Sequence, residues 1–180
     1  SLNLLFSVPF LLITNKLNQI IDSNNIVIIT GGASVGDFDF IPEILKKRNI
    51  DLKFKKLLVR PGSPTVFGVS DNRWIFGLPG NPVSSFVIFE MLVKPFLYKL
   101  MENNSDIKNI KLPIASDFKR KKTDRLNWIP ITINNNEEAT IFEYHGSGHI
   151  HSICFADGLM TIPFGISEIK KGELVDVRPL

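Results

Sequence analysis

Two glycine-rich segments carry the residue types best suited to chemistry in this chain of 180 residues. Residues 30–40 read TGGASVGDFDF, and residues 77–85 read GLPGNPVSS. In both segments, glycines let backbone amides turn toward an anion, hydroxyl side chains add donors, and the positive end of a following helix favours negative charge. We therefore expect each segment to cradle a phosphate, so that the two together could hold both ends of a phosphorylated ligand.

The first segment, called loop 1 below, also holds two carboxylates, Asp37 and Asp39. They would repel a phosphate unless a divalent cation lay between, and magnesium is commonly held by one or two carboxylates together with substrate phosphates. Asp37 also precedes a predicted helix, and capping a helix is a common role for aspartate. We favour capping for Asp37 and metal or ligand chemistry for Asp39.

A turn with the sequence RPGSP, residues 60–64, lies between loop 1 and the second segment, called loop 2. Arg60 could bind a phosphate or another oxyanion through two parallel hydrogen bonds. An equally good interpretation is a rigid connection between strands in which the guanidinium of Arg60 is simply solvated. The sequence leaves both interpretations open.

The elements that must position these loops follow an α/β pattern. Residues 26–29, IVII, are apolar and β-branched throughout, which is typical of a parallel strand buried on both faces. Other strands are predicted at 54–59, 65–69 and 74–76, and helices at 14–21, 41–48 and 83–100. The last helix is apolar around nearly its whole circumference, so it should be buried on several sides, and Pro95 should kink it. We expect an open, mostly parallel sheet flanked by helices, with both loops at the carboxyl ends of strands, where such sheets bind ligands.

The character of the sequence changes after residue 100. Asn, Ser and charged residues predict a linker up to residue 109, and helical periodicity then disappears. Short strands are predicted at 111–116, 125–133, 139–144, 150–155, 159–162 and 173–177. Their spacing predicts a small all-β barrel or sandwich. We expect an α/β domain over residues 1–104 and a β-domain over residues 110–180.

Composition argues against several other classes of protein. The net charge is only +3, and the one dense basic run, residues 119–122, lacks interleaved aromatic residues, so we interpret it as a solvated loop rather than a nucleic-acid site. The apolar residues 2–13 are too few to span a bilayer and follow no basic residues, so we expect them to pack against the body of the protein. A single cysteine, Cys154, cannot form an internal disulfide, so nothing calls for an oxidising compartment.

The order of the three motifs resembles one enzyme family. TGGASVGDFD in loop 1, RPGSP in the turn and GLPGNPVSS in loop 2 closely resemble the molybdopterin molybdenumtransferases, the family of bacterial MoeA and the gephyrin E domain. The resemblance covers the C-terminal portion of that family and identifies the first domain as its molybdopterin-binding domain and the second as its C-terminal β-domain. The two N-terminal domains of the family and the opening strand of its cofactor domain have no counterpart in these 180 residues, so the resemblance implies an α/β domain that is N-terminally incomplete.

The resemblance implies a function in molybdenum cofactor biosynthesis. It implies a transferase that inserts molybdate into adenylylated molybdopterin and releases AMP with the help of Mg²⁺. The enzyme would be a cytoplasmic homodimer. Its further partner would be a molybdopterin adenylyltransferase, and it would bind neither nucleic acid nor a membrane. Asp39 would be the catalytic and metal-binding residue. The residues implied to contact the pterin substrate are Gly31, Gly32, Ser34, Val35, Gly36, Asp37, Arg60, Pro61, Gly62, Ser63, Gly77, Pro79, Gly80, Asn81, Pro82 and Ser84.

Two departures from the family pattern bear on catalysis. Many members carry lysine where this chain has Ser63, so any anion contact from that side chain is missing here. In family dimers, part of the active site comes from the N-terminal region of the partner subunit. The alternative to catalysis is therefore a non-catalytic pterin-binding, dimerisation or scaffold module, and the third interpretation is a general nucleotide-binding α/β domain.

Overall fold

The computed structural model describes residues 2–31, 40–102, 108–142 and 153–180, with side chains from residue 12 onward. The chain divides into two compact units, the first formed by residues 1–57 and 64–80 and the second by residues 58–63 and 81–180. The domain boundary expected between residues 104 and 110 falls inside the second unit, and it stays a prediction.

The described chain mixes helices and strands up to residue 100 and consists mainly of strands after it. The helices are α1 (Leu2–Ser23), α2 (Phe40–Lys47), α3 (Pro82–Ile88) and α4 (Lys94–Leu100), with a π-helical turn at Phe89–Val93 between the last two. The strands are β1 (Ile26–Thr30), β2 (Asp51–Phe54), β3 (Val59–Arg60), β4 (Val66–Ser70), β5 (Arg73–Leu78), β6 (Ile110–Pro113), β7 (Phe118–Lys119), β8 (Leu126–Ile133), β9 (Ala139–Ile141), β10 (Gly158–Ile162), β11 (Glu168–Ile169) and β12 (Leu174–Pro179).

A mixed four-stranded sheet in the order β1-β5-β4-β2 forms the centre of the first unit. β1 and β5 are parallel, whereas β4 pairs antiparallel with both β5 and β2. The α/β class is confirmed, but the expectation of a mostly parallel sheet is wrong for the described strands. The reason is the tight turn at Asp71 and Asn72, which joins β4 to β5 and makes them an antiparallel hairpin.

β1 lies at one edge of the described sheet. Val27 is buried in the core of the unit with Ile21 of α1, Ile44 of α2 and Ile75 of β5. Ile28, however, is 41% exposed, so the expectation that this strand is buried on both faces is wrong for the described part of the chain. No described strand pairs with the free edge of β1.

Helix α1 includes the predicted helix of residues 14–21 and extends it to Leu2. Leu17 and Ile21 are buried in the core of the first unit, whereas Ile20 is 37% exposed. None of the described helices combines the length and the apolar character needed to cross a bilayer.

The second unit is β-rich, as predicted. Five of its strands follow the order β3-β8-β10-β12-β6, β9 pairs with β8, and β7 and β11 form a separate two-stranded sheet. Ile131, Met160, Ile162 and Val177 fill the core of the larger sheet, each fully buried. Among the described strands, no pairing joins β3 to β6, so this sheet is open rather than a closed barrel.

The long apolar helix predicted at residues 83–100 is interrupted by the π-helical turn. There the amide of Lys94 donates to Phe89 O, five residues back. With the same five-residue spacing, the carbonyl of Glu90 would accept a hydrogen bond from the backbone nitrogen of Pro95, but proline has no N–H. The Nη1 of Arg178 donates to the carbonyl of Glu90 instead, at 2.6 Å. The helix is therefore irregular just before Pro95, and the kink expected there stays a prediction. The expected all-round burial is wrong, because α4 has no buried residue.

Candidate functional site

Loops 1 and 2 begin side by side at one edge of the first unit's sheet. Parallel pairing of β1 with β5 places Thr30 opposite Leu78, so both strands deliver their carboxyl ends to the same place, as predicted. The amide of Gly31 donates to Leu78 O at 3.1 Å, which ties the start of loop 1 to the end of β5. Gly31 has φ +87°, a backbone conformation that favours glycine.

Loop 2 makes a second close approach to loop 1. A β-carbon built on Gly80 would lie 3.4 Å from the Cα of Gly31, so the two backbones lie close enough for such a carbon to be in van der Waals contact. Gly77 and Pro79 are buried, whereas Gly80 is exposed. The amide of Gly80 makes no hydrogen bond with any described residue, whereas that of Gly31 is already used. Of the two described glycines at which the loops approach each other, Gly31 and Gly80, only Gly80 therefore has an N–H that is available to a ligand.

The RPGSP turn and the start of α3 come together in the second unit. A β-carbon on Gly62 would lie 3.5 Å from Ser84 O and would overlap the side chain of Ile88. Asn81 is the N-cap of α3, and its Oδ1 accepts a hydrogen bond from the amide of Ser84 at 3.2 Å. Pro82 occupies the first helical turn, as predicted. The amide of Ser84, in the first turn of α3, therefore already donates its hydrogen bond to the N-cap side chain.

Several predicted site residues lie outside the described part of the chain. They are Gly32, Ser34, Val35, Gly36, Asp37 and Asp39. The predicted magnesium site depends on Asp39 and remains a prediction for that reason. Within the described ranges, no group of three or more His, Cys, Asp or Glu side chains is arranged to hold a metal ion.

A cavity of about 320 Å³ lies beside the RPGSP turn, within the second unit. Its lining includes Arg60, Pro61, Arg120 and Trp128. Arg60 is exposed, and its side chain has no hydrogen bond or ion pair with a described residue. Arg60 both lines the cavity and is exposed to solvent, so the two interpretations left open for it, ligand-facing and solvated, remain open.

The other arginine in the lining has a structural role. The guanidinium of Arg120 donates to Ile166 O at 2.6 Å, to Arg125 O at 2.9 Å and to Pro163 O, and partial burial lowers its pKa from the usual value. The interpretation of residues 119–122 as a solvated loop is therefore wrong for Arg120. Sequence reasoning also missed Trp128, because alternation along β8 predicts only that it faces the core.

A larger groove of about 830 Å³ runs along β1 in the first unit. Its described lining is almost wholly apolar and comes from α1, β1 and α2, with Lys16 as its one charged residue. Its polar end is formed by Thr30 and Gly31, where loop 1 begins. Apart from these two and Lys16, the described lining residues are apolar.

Comparison with known proteins gives two family matches that together cover most of the chain. Residues 12–99 match the family described as "Probable molybdopterin binding domain". Residues 111–180 match the family described as "MoeA C-terminal region (domain IV)".

Individual relatives agree with these matches. A molybdopterin molybdenumtransferase from Staphylococcus epidermidis is 35% identical over 164 residues, and one from Staphylococcus aureus is 33% identical over 166 residues. Both alignments cover 89% of this chain and 39% of the relative, so the chain spans about two fifths of the length of these curated relatives.

The fold is also similar to solved structures. The molybdopterin biosynthesis MoeA protein from Pyrococcus horikoshii has a TM-score of 0.77 at 25% identity, over 93% of this chain and 40% of that one. A molybdenum cofactor biosynthesis protein from Pyrococcus furiosus has a TM-score of 0.72 at 23% identity, over 93% of this chain and 54% of that one.

Proposed function

This chain belongs to the molybdopterin molybdenumtransferase family, as its C-terminal portion, and from that premise we propose that it forms the substrate-binding part of an enzyme that inserts molybdate into adenylylated molybdopterin and releases AMP. The relatives that carry this name are about two and a half times as long as the match, so the complete reaction is proposed for the whole protein.

The contact between loops 1 and 2 is the observation that carries the proposal. Gly31 and Gly80 lie close together, and they follow the ends of two parallel strands. The exposed amide of Gly80 has no partner among the described residues, and an oxyanion is the ligand that such an amide binds most strongly. A phosphate at this point would contact loop 2 through Gly80 and loop 1 through the amides that follow Gly31.

We assign the metal-dependent part of the reaction to loop 1. Asp37 and Asp39 supply carboxylate oxygens, the ligand type that Mg²⁺ prefers. Mg²⁺ bound there would neutralise charge on the substrate phosphates, and Asp39 would hold it. The whole protein is proposed to act in the cytoplasm as a homodimer and to receive its substrate from a molybdopterin adenylyltransferase.

The test uses the full-length protein with adenylylated molybdopterin, molybdate and Mg²⁺, and measures released AMP. Asp39→Asn should lower the rate about 100-fold or more, because it removes the charge that binds the metal. Asp71→Asn is the matched control, since Asp71 is exposed in the β4–β5 turn at φ +47°, where asparagine is well tolerated. It should change the rate less than twofold.

Unchanged AMP release by Asp39→Asn would remove that residue from the mechanism. Pterin binding by the full-length protein without any AMP release would reject the transferase and favour the non-catalytic binding or scaffold module instead. Affinity for ATP without preference for the pterin would favour a general nucleotide-binding domain.

A further inference from the structure

We propose that Arg178, three residues from the end of the described chain, is a positioning residue for the proposed substrate site. It holds the π-helical turn at Phe89–Val93 and thereby fixes the register of α3, the helix that begins in loop 2 and packs against the RPGSP turn. Its effect on the reaction rests on the proposed function, whereas its structural effect concerns the second unit alone.

The side chain of Arg178 joins β12 to the π-helical turn. Its Nη1 donates to Glu90 O at 2.6 Å, and its guanidinium lies 5.0 Å from the centre of the Trp128 ring. Its buried Nε has no hydrogen-bond partner among the described residues, and these two contacts orient the guanidinium. A hydrogen bond from a charged donor is stronger than one between neutral groups. Arg178 is therefore a fixed and strong donor at the turn.

The carbonyl of Glu90 depends on this donor. Glu90 is only 7% exposed, and proline at position 95 removes the amide that five-residue spacing would offer. A buried carbonyl without a donor is costly, so without Arg178 the helix should adopt a register that supplies one. α-Helical spacing would bring the amide of Lys94 to Glu90 O. The carbonyl left without an amide would then be that of Met91, a residue that is less buried than Glu90.

The amide of Lys94 distinguishes the two registers. It now donates to Phe89 O, five residues back, and a bond to Glu90 O would turn the π-helical segment into regular α-helix. That change shifts α3 by one residue against α4, which corresponds to about 100° of rotation and about 1.5 Å along the axis. Arg178 therefore selects the π-helical register.

The register of α3 decides what the RPGSP turn packs against. Ile88 is the last residue of α3, and it lies so close to Gly62 that a β-carbon there would overlap it. Val87 is fully buried in a core cluster of the second unit. A shift of α3 by one residue would break both contacts. It would also move Asn81 and Ser84, which the proposed function places at the substrate.

The first measurement finds which carbonyl accepts the amide proton of Lys94. NMR scalar coupling across hydrogen bonds, recorded on the ¹³C,¹⁵N-labelled chain of 180 residues, joins an amide nitrogen to the carbonyl carbon of its acceptor. In the natural chain the nitrogen of Lys94 should couple to Phe89. In Arg178→Met, which has no donor, it should couple to Glu90 instead. Arg178→Lys keeps a cation with N–H donors and should retain the coupling to Phe89.

Val177→Ala is the matched control. Val177 precedes Arg178 in β12 and is fully buried in the core of the larger sheet, so its truncation lowers the Tm without removing a hydrogen bond from the turn. Lys94 should stay coupled to Phe89 in this variant. Arg178→Gln has a polar side chain that is too short to replace the Nη1 donor. It takes the place of Arg178→Met, with the same expected results, if that variant does not fold.

The second measurement is AMP release by the full-length protein. Arg178→Met should raise the KM for adenylylated molybdopterin about fivefold or more and change kcat less than about twofold, because Arg178 places binding groups and does not touch the reacting atoms. Arg178→Lys should keep KM within about twofold of the natural value. Val177→Ala should do the same, since it lowers stability alone.

Coupling of Lys94 to Phe89 that persists in Arg178→Met would overturn the inference, because the π-helical turn would then not need Arg178. So would an unchanged KM in Arg178→Met, or a rise in KM that Val177→Ala reproduces. The coupling is measured without substrate. If the natural full-length protein releases no AMP, the proposed function fails whatever the coupling shows, so the two failures can be told apart.

Discussion

Replacing Gly62 by alanine tests how the RPGSP turn is fixed against α3. Gly62 has φ +100°, where an L residue is strained by about 1–2 kcal/mol. The new β-carbon would also overlap Cγ1 and Cδ1 of Ile88, which is fully buried. Overpacking of this kind costs about 1–3 kcal/mol. Together the two effects predict a loss of about 2–5 kcal/mol in the free energy of unfolding.

Urea unfolding followed by Trp128 emission, in the Trp74→Phe background, measures this loss within the second unit. At a slope of about 2 kcal/mol per molar urea, the midpoint should fall by about 1–2.5 M. Gly165→Ala separates the two causes, because Gly165 has φ +80° but nothing within 4 Å of the added carbon. It should cost only about 1–2 kcal/mol.

Two further results decide the matter. In an Ile88→Ala background, which removes the obstructing atoms, Gly62→Ala should cost no more than Gly165→Ala does. If Gly62→Ala and Gly165→Ala lower the midpoint equally in the natural background, packing against Ile88 does not hold the turn, and the reasoning fails.

Three other predictions follow from described contacts. Asn81→Ala should destabilise the second unit by about 1 kcal/mol in the same urea assay, because the amide of Ser84 loses its cap, whereas Asn81→Asp should be neutral. Leu159→Ala should cost about 2–5 kcal/mol by urea midpoint, because Leu159 is fully buried, and a loss below 1 kcal/mol would contradict the packing. Hydrogen bonds from the amide of Lys171 and then from the Lys170 side chain hold the pKa of Asp117 below 3.8, the usual value. The contribution of Asp117 to the free energy of unfolding is therefore present above pH 3.8 and is lost as the pH falls through the lower pKa of the folded state. The difference in Tm between the natural chain and Asp117→Asn should therefore shrink in acid. A difference that grew in acid would contradict the lowered pKa of Asp117.

Local pattern was enough to predict the strands that matter most for the loops. Residues 26–29 are apolar and β-branched, and the structure has β1 there. Gly31 directly follows β1, Gly77 is the last residue but one of β5, and the parallel pairing of those strands brings the starts of the loops together. Both signals are local in sequence, so the sequence alone was sufficient to predict these strands and the starts of the loops.

Pairing between distant segments could not be predicted in the same way. A single strand was predicted at 54–59, but the structure has β2 up to Phe54 and β3 from Val59, in two different sheets. β2 pairs with β4, whereas β3 pairs with β8 more than sixty residues away along the chain. Which sheet each of these strands joins depends on its partner strand, and the residues between β2 and β3 carry no local signal that the sheet changes there.

The cavity was missed for the same reason. Arg60, Phe118 and Trp128 come from three strands whose order along the chain says nothing of their proximity. Arg120 gave a misleading signal, because it is part of a basic run and yet binds three carbonyl groups. Only the fold shows which cation is free for a ligand.

The central claim is that loops 1 and 2 jointly bind one phosphate group, and amide NMR of the ¹⁵N-labelled chain titrated with AMP tests it most directly. The account predicts that the amide resonances of Gly32 and Gly80 shift together and yield one common Kd. It also predicts that the amide of Gly165, remote in sequence from both loops, does not move. If Gly80 stays fixed at millimolar AMP, or if the two loop amides follow different Kd values, the loops do not share a phosphate and the account is contradicted.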